Sequence, residues 1–95
     1  MATDKSYVEF VCEQLPEGYS VRYRKMFGEY MIYVNEKPVL LLCDNTVFMK
    51  IIPKTEELMK NCERGFPYPG AKEHYVVDVE DRVFLEKVLP AYLNL

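Results

Sequence analysis

The 95-residue sequence predicts a two-layer α+β sandwich with helices packed on a mostly antiparallel sheet. Three observations carry that expectation. Apolar residues recur at helical spacing near both ends of the chain. Between Val21 and Ile52 the pattern changes to short runs rich in β-branched and aromatic residues. The connections between those runs are short enough to imply an antiparallel meander. The expected element order is α-β-β-β-β-α-β-α.

Each element has its own signal. Val8, Val11, Cys12 and Leu15 form one stripe of a first helix, which Pro16 and Gly18 stop. Ser6 and Glu9 have capping-box spacing, although Thr3 or Asp4 would start the helix a turn earlier. Val21-Arg22-Tyr23-Arg24 alternates as a strand, with both arginines on one face. Tyr30 to Val34 follows as a second strand, and Asn35-Glu36-Lys37-Pro38 reads as a turn. Val39-Leu40-Leu41-Leu42-Cys43 is apolar on both faces, so it is expected to be a central strand covered on both sides, with Leu41 largely buried. Asp44-Asn45 suits a two-residue hairpin leading into a fourth strand, Thr46 to Ile52. A second helix is expected from Thr55, with Glu56 and Glu57 in its first turn, to about Gly65. Phe66-Pro67-Tyr68-Pro69-Gly70 cannot be helical and reads as an aromatic-studded loop. His74 to Val79 is the fifth strand. A last helix carries Leu85, Val88, Leu89 and Tyr92 in one stripe, and Pro90 should kink or restart it.

At 11.2 kDa, residues 1–95 are read as one domain without repeat or linker. Hydrophobic residues make up 49% and charged residues 28%, which is ordinary globular composition. No apolar run approaches the ~20 residues of a membrane span, and no signal-peptide core follows the charged start, so a cytoplasmic protein with no membrane contact is expected. Cys12, Cys43 and Cys62 form no C-x-x-C pair, and their odd count fits free thiols in a reducing compartment, buried as small hydrophobes.

Few residues could carry chemistry. His74 is the single histidine, and its setting is that of a partly exposed strand residue with nothing local to orient it as a base. Asp78, Glu80 and Asp81 crowd a helix start, where capping accounts for them. No nucleophile elbow, Walker loop, H-E-x-x-H or EF-hand loop is present. The expectation is a protein that is not an enzyme and that takes no metal and no cofactor.

Basic residues cluster at Arg22, Arg24 and Lys25. Arg22 and Arg24 share a strand face with the reach to hold phosphates or a partner's carboxylates, although the plainer reading is the solvated side of an outer strand. The net charge is −3 and the isoelectric point about 5.2. Three phosphate contacts would give a salt slope of only about −2.7, so no tight direct DNA binding by this domain alone is expected.

The segment Arg24-Lys25-Met26-Phe27-Gly28-Glu29-Tyr30 stands out. Gly28 lies between two strand patterns, where a bulge or a tight reversal needs its freedom in φ, with Phe27 and Tyr30 packed on either side. With Val47-Phe48-Met49-Lys50 and Phe66-Pro67-Tyr68-Pro69 further on, the sequence resembles the N-terminal domain of the TfoX/Sxy family of bacterial competence regulators. The resemblance runs from about Tyr7 to Leu93. It implies an α+β fold akin to secretion-chaperone-like sandwiches and brings no catalytic residues. Full-length family members add a C-terminal helical domain and are implicated in switching on competence genes alongside the cyclic-AMP receptor protein. A stand-alone N-terminal domain is therefore expected here.

Three functions follow as expectations. The first is a regulatory or adaptor domain acting by protein–protein contact, with transcription machinery as the implied partner. Its candidate surface is Arg22, Arg24, Lys25, Met26, Phe27 and Gly28. The second is a peptide-binding or chaperone-like module that uses the sheet or the Phe66–Gly70 loop as an apolar groove. The third is a small-molecule site or enzyme built on Cys43, His74 or the tyrosines. A homodimer is compatible with all three.

Overall fold

In the computed structural model, which describes residues 3–94, helix α1 (Lys5–Gln14) leads into a four-strand meander. Its strands are β1 (Val21–Met26), β2 (Glu29–Val34), β3 (Lys37–Cys43) and β4 (Thr46–Lys50). A short 3-10 turn (Pro53–Thr55) follows, then β5 (Arg64–Gly65), β6 (His74–Val76) and helix α2 (Arg82–Leu93). The six strands form one sheet in the order β1-β2-β3-β4-β6-β5, with every neighbouring pair antiparallel. The α+β sandwich expected from the sequence is the observed architecture.

The meander rests on three two-residue hairpins whose central residues all take positive φ. These are Phe27 and Gly28 (51° and 82°), Asn35 and Glu36 (51° and 67°), and Asp44 and Asn45 (51° and 55°). Positive φ at both positions matches the right-handed twist of the flanking strands, which is why such turns dominate tight hairpins. Asn, Asp and Gly accept that geometry readily; Phe27 and Glu36 do not.

Several details depart from the sequence reading. The expected helix after Thr55 is only the 3-10 turn plus two further backbone hydrogen bonds, from the Met59 amide to the Thr55 carbonyl at 2.9 Å and from the Cys62 amide to the Met59 carbonyl at 3.0 Å. Met59 is fully buried while Leu58 is exposed, so this stretch has too narrow an apolar stripe to hold a short helix, which is marginal in water by itself. Glu56 and Glu57 therefore sit in turns. Lys37 and Pro38 belong to β3 rather than to the preceding turn. Pro38 is tolerated there because the register shifts between Ile32 and Tyr33, which leaves Val39 as the extra residue of a bulge. Helix α2 continues through Pro90. Helix α1 begins after Asp4 without a side-chain cap. In α2, by contrast, the Asp81 carboxylate accepts from the Phe84 amide at 3.1 Å.

Both helices pack on the same face of the sheet. One buried cluster joins Val8 and Val11 of α1 and Leu85, Val88 and Leu89 of α2 to Tyr30, Ile32, Leu40, Leu42, Val47 and Met49. Strand residues alternate faces, so Met31, Leu41 and Phe48 point the other way and stand outside that cluster. Strand β3 is central, as expected, but it is not covered on both sides. Leu41 is half-buried, whereas Leu40 and Leu42 are inaccessible. Among the described residues, no helix is long and apolar enough to cross a membrane.

Two stability predictions follow from this asymmetry and from one orphan atom. Leu42→Ala should cost about 2–5 kcal/mol in urea unfolding, and Leu41→Ala should cost clearly less because its neighbours do not enclose it. The Tyr75 hydroxyl is buried without a hydrogen-bond partner. Tyr75→Phe should leave the midpoint unchanged or raise stability by about 1 kcal/mol, since a buried unpaired hydroxyl carries its desolvation cost uncompensated.

Candidate functional site

The strand register lays out the helix-free face row by row. Arg24, Met31, Leu41, Phe48 and Val76 are successive cross-strand partners and form one row across five strands. All but Arg24 are apolar. On one side of this row lie Arg22, Tyr33, Lys50 and His74. On the other lie Met26, Glu29, Cys43 and Thr46. The face is thus an apolar strip with cations along one flank.

A groove of about 620 Å³ opens over this strip, floored by Met31, Leu41 and Cys43 and rimmed by Met26, Phe27, Glu29 and Tyr68. Tyr68 brings the Phe66–Gly70 loop to the same place as the Met26-Phe27-Gly28 turn. These two segments, read separately in the sequence, are joined here in one site. A smaller depression of about 190 Å³ shares Met31 and Leu41 and runs on to Lys50 and His74.

Phe27 is the anomaly. It is fully exposed, and it holds a left-handed backbone conformation. Tyr30, expected to flank the bend with it, is instead buried on the helix-covered face. Phe66 and Tyr68 are also more than half exposed, so three aromatic rings reach solvent from the two segments that meet at the groove.

A polar clasp fixes this end of the sheet. The Glu29 carboxylate accepts from the Thr3 hydroxyl at 2.6 Å and from the Asp44 amide at 3.1 Å. The Thr3 hydroxyl in turn accepts from the Asn45 amide at 3.1 Å, and the Thr3 amide donates to the Gly28 carbonyl at 3.2 Å. The start of α1 and two hairpin turns are thereby tied together, which positions the Phe27-Gly28 turn.

The sequence-read basic cluster is divided. Arg22 lies over the Tyr33 ring at 4.3 Å and is paired with Glu36 at 3.0 Å. Arg24 shares that face and has no ion-pair partner among the described residues. Lys25, opposite Tyr30 in the register, belongs to the other face. Met26, Phe27 and Gly28 are at the groove. Met31, Leu41 and Tyr68 were not singled out as site residues. The signal for Met31 and Leu41 is the apolar character of both faces of β2 and β3, whereas Tyr68 joins them by a long-range contact without one.

Cys43 is a protonated thiol at neutral pH, because burial, with the Glu29 charge added, pushes it from its ordinary value of 9.0 up to about 11. His74 is placed far from it. The two belong to opposite ends of β4, facing Thr46 and Lys50, which at about 3.3 Å per residue offsets them by roughly 13 Å along the strand direction, with β4 between them. The His74 Nδ1 lies 2.8 Å from the Lys72 carbonyl. No disulfide joins any of the three cysteines.

Fold and site together define a small α+β domain with one helix-covered sheet face and one open apolar face. Over 78 residues the chain is 49% identical to a 12.7 kDa protein from the trpE 5′ region of Spirochaeta aurantia, itself described as uncharacterised. The match spans 82% of this chain and 68% of that protein, and the chain belongs to its family. No family model matches the chain.

The turn and the thiol each generate a prediction. Phe27→Asn should stabilise the fold by about 1 kcal/mol, because it relieves a left-handed aromatic residue that buries nothing. Gly28→Val should destabilise it by more than ~1 kcal/mol. A chemical melt in which Phe27→Asn is the damaging change would contradict this account of the turn. For Cys43, the unfolded chain ionises the thiol from about pH 9, whereas the folded chain keeps its proton to about pH 11. Its contribution to stability is therefore complete below pH 9 and is lost as pH rises towards 11. In a Cys12→Ser/Cys62→Ser background, iodoacetamide should leave Cys43 unmodified near neutrality and react only as pH climbs through that window.

Proposed function

We propose that the domain is a non-enzymatic adaptor that works by protein–protein contact, seating an apolar segment of a partner in the groove of its helix-free face. The observation that carries this reading is Phe27. A fully exposed aromatic ring in a left-handed turn disfavours the free protein on two counts, strain and exposure, and it stands at the mouth of an apolar groove left open among the described residues. Aromatic and methionine side chains are also the residues enriched where proteins anchor one another.

The chemistry of the remaining candidates supports contact rather than catalysis. Cys43 holds its proton, and His74 lies on the far side of β4 from it, offset by four positions along the strand. Arg22 is already paired and Lys25 is on the other face, so the basic cluster offers few free cations for phosphates. A protein partner therefore fits better than duplex DNA. The resemblance to the TfoX N-terminal domain directs the reading towards regulators of transcription in the cytoplasm.

The test is selection of phage-displayed random peptides on the immobilised domain, followed by binding of the selected peptides to variants. Phe27→Asn and Met31→Asp should each weaken binding at least about tenfold while circular dichroism shows the fold retained. Peptides that bind both variants as well as the native chain would place the contact elsewhere and defeat the proposal.

A further inference from the structure

We infer that the segment seated in this groove is acidic as well as apolar, with a carboxylate close to its apolar anchor. The inference rests on the adaptor reading above and names the chemistry of its partner. It starts from where charge is left unspent. The chain as a whole is −3, yet from Val21 to Lys50 five basic residues face three acidic ones, so the meander is locally positive.

Two of the three carboxylates of the meander are already engaged, and the third, Asp44, lies in the β3–β4 turn at the opposite end of β4 from Lys50. Glu29 is held by the Thr3 hydroxyl and the Asp44 amide, and Glu36 is held by Arg22. Arg24 and Lys50 are exposed and have no ion pair among the described residues. Both border the groove system: Arg24 ends the apolar row beside Met31, and Lys50 rims the smaller depression that shares Met31 and Leu41. Lys50 lies two positions along β4 from Phe48, the cross-strand partner of Leu41, a displacement of about 6.6 Å along the strand. An apolar side chain over Leu41 with an acidic residue two or three positions away would meet both features at once.

The same charges disfavour edge-to-edge pairing with a second copy of this chain. An antiparallel pairing of edge strand β1 with β1 of another copy, centred on Tyr23, would set Arg22 opposite Arg24 on both sides of the axis, and like charges directly opposite destabilise a strand pair.

The test uses two dodecapeptide libraries that share Phe, Leu or Met at three fixed positions. One has Asp, Glu and Ser at the remaining positions, and the other has Lys, Arg and Ser. Selection on the native domain at low salt should favour the acidic library. Its binders should lose about tenfold in affinity in an Arg24→Glu/Lys50→Glu variant, as two exposed ion pairs warrant, and should weaken as salt is raised. Equal success of the basic library, or binding indifferent to the double charge reversal, would overturn the acidic partner while leaving the adaptor reading intact. Failure of both libraries would overturn the two together. Sedimentation showing a dimer that Phe27→Asn dissociates would overturn the inference in favour of self-association.

Discussion

The structure depends on a mismatch between a sheet that is apolar on two faces and helices that cover only one. Strand geometry sends alternate side chains to opposite faces, so β2 and β3, apolar at nearly every position, must present hydrophobic groups both ways. Helices α1 and α2, of 10 and 12 residues, share one buried cluster with Tyr30, Ile32, Leu40 and Leu42. Among the described residues, nothing of comparable size covers Met31 and Leu41. The hydrophobic effect that drives one face into the core leaves the other with an unsatisfied tendency to be covered. The groove is the direct consequence.

What gives that face a defined shape is the clasp at its end. The Glu29 carboxylate and Thr3 hydroxyl join the β1–β2 turn, the β3–β4 turn and the approach to α1 through bonds of 2.6 to 3.1 Å. Hydrogen bonds to a charged group are the stronger kind, and this set draws together segments more than 40 positions apart in sequence. The Phe27-Gly28 turn is therefore held in place while its aromatic ring stays in solvent. A rigid turn with an exposed ring needs little reorganisation to engage a partner, which lowers the ordering cost of binding.

Much of the architecture was legible from local pattern. The terminal helices, the meander and the Asp44-Asn45 hairpin follow from periodicity and turn chemistry, and the positive φ of Gly28 follows from its place between two strands. The stretch after Thr55 was not legible. Its capping signals suit a helix, but Met59 is the one fully buried apolar side chain there, and tertiary packing decided the outcome. Leu41 misled for a related reason: an apolar run announces that two faces want cover, but not how many helices are available to supply it. The site was half visible. The Met-Phe-Gly turn and the aromatic-proline loop each stood out, but their meeting through Tyr68 is a long-range contact that no local signal encodes. The division of Lys25 from Arg24 was implicit in strand alternation, and the spending of Arg22 on Glu36 was not.

The openness of the face is the central claim, and methionine methyl groups report on it directly. With 13C-labelled methionine methyls and a dissolved gadolinium relaxation agent, Met26 and Met31 should show strong relaxation enhancement. Met49 and Met59, fully buried on the other side of the sheet, should be protected. Protection of Met31 equal to that of Met49 would mean that the face is closed in the free protein, and would contradict this account.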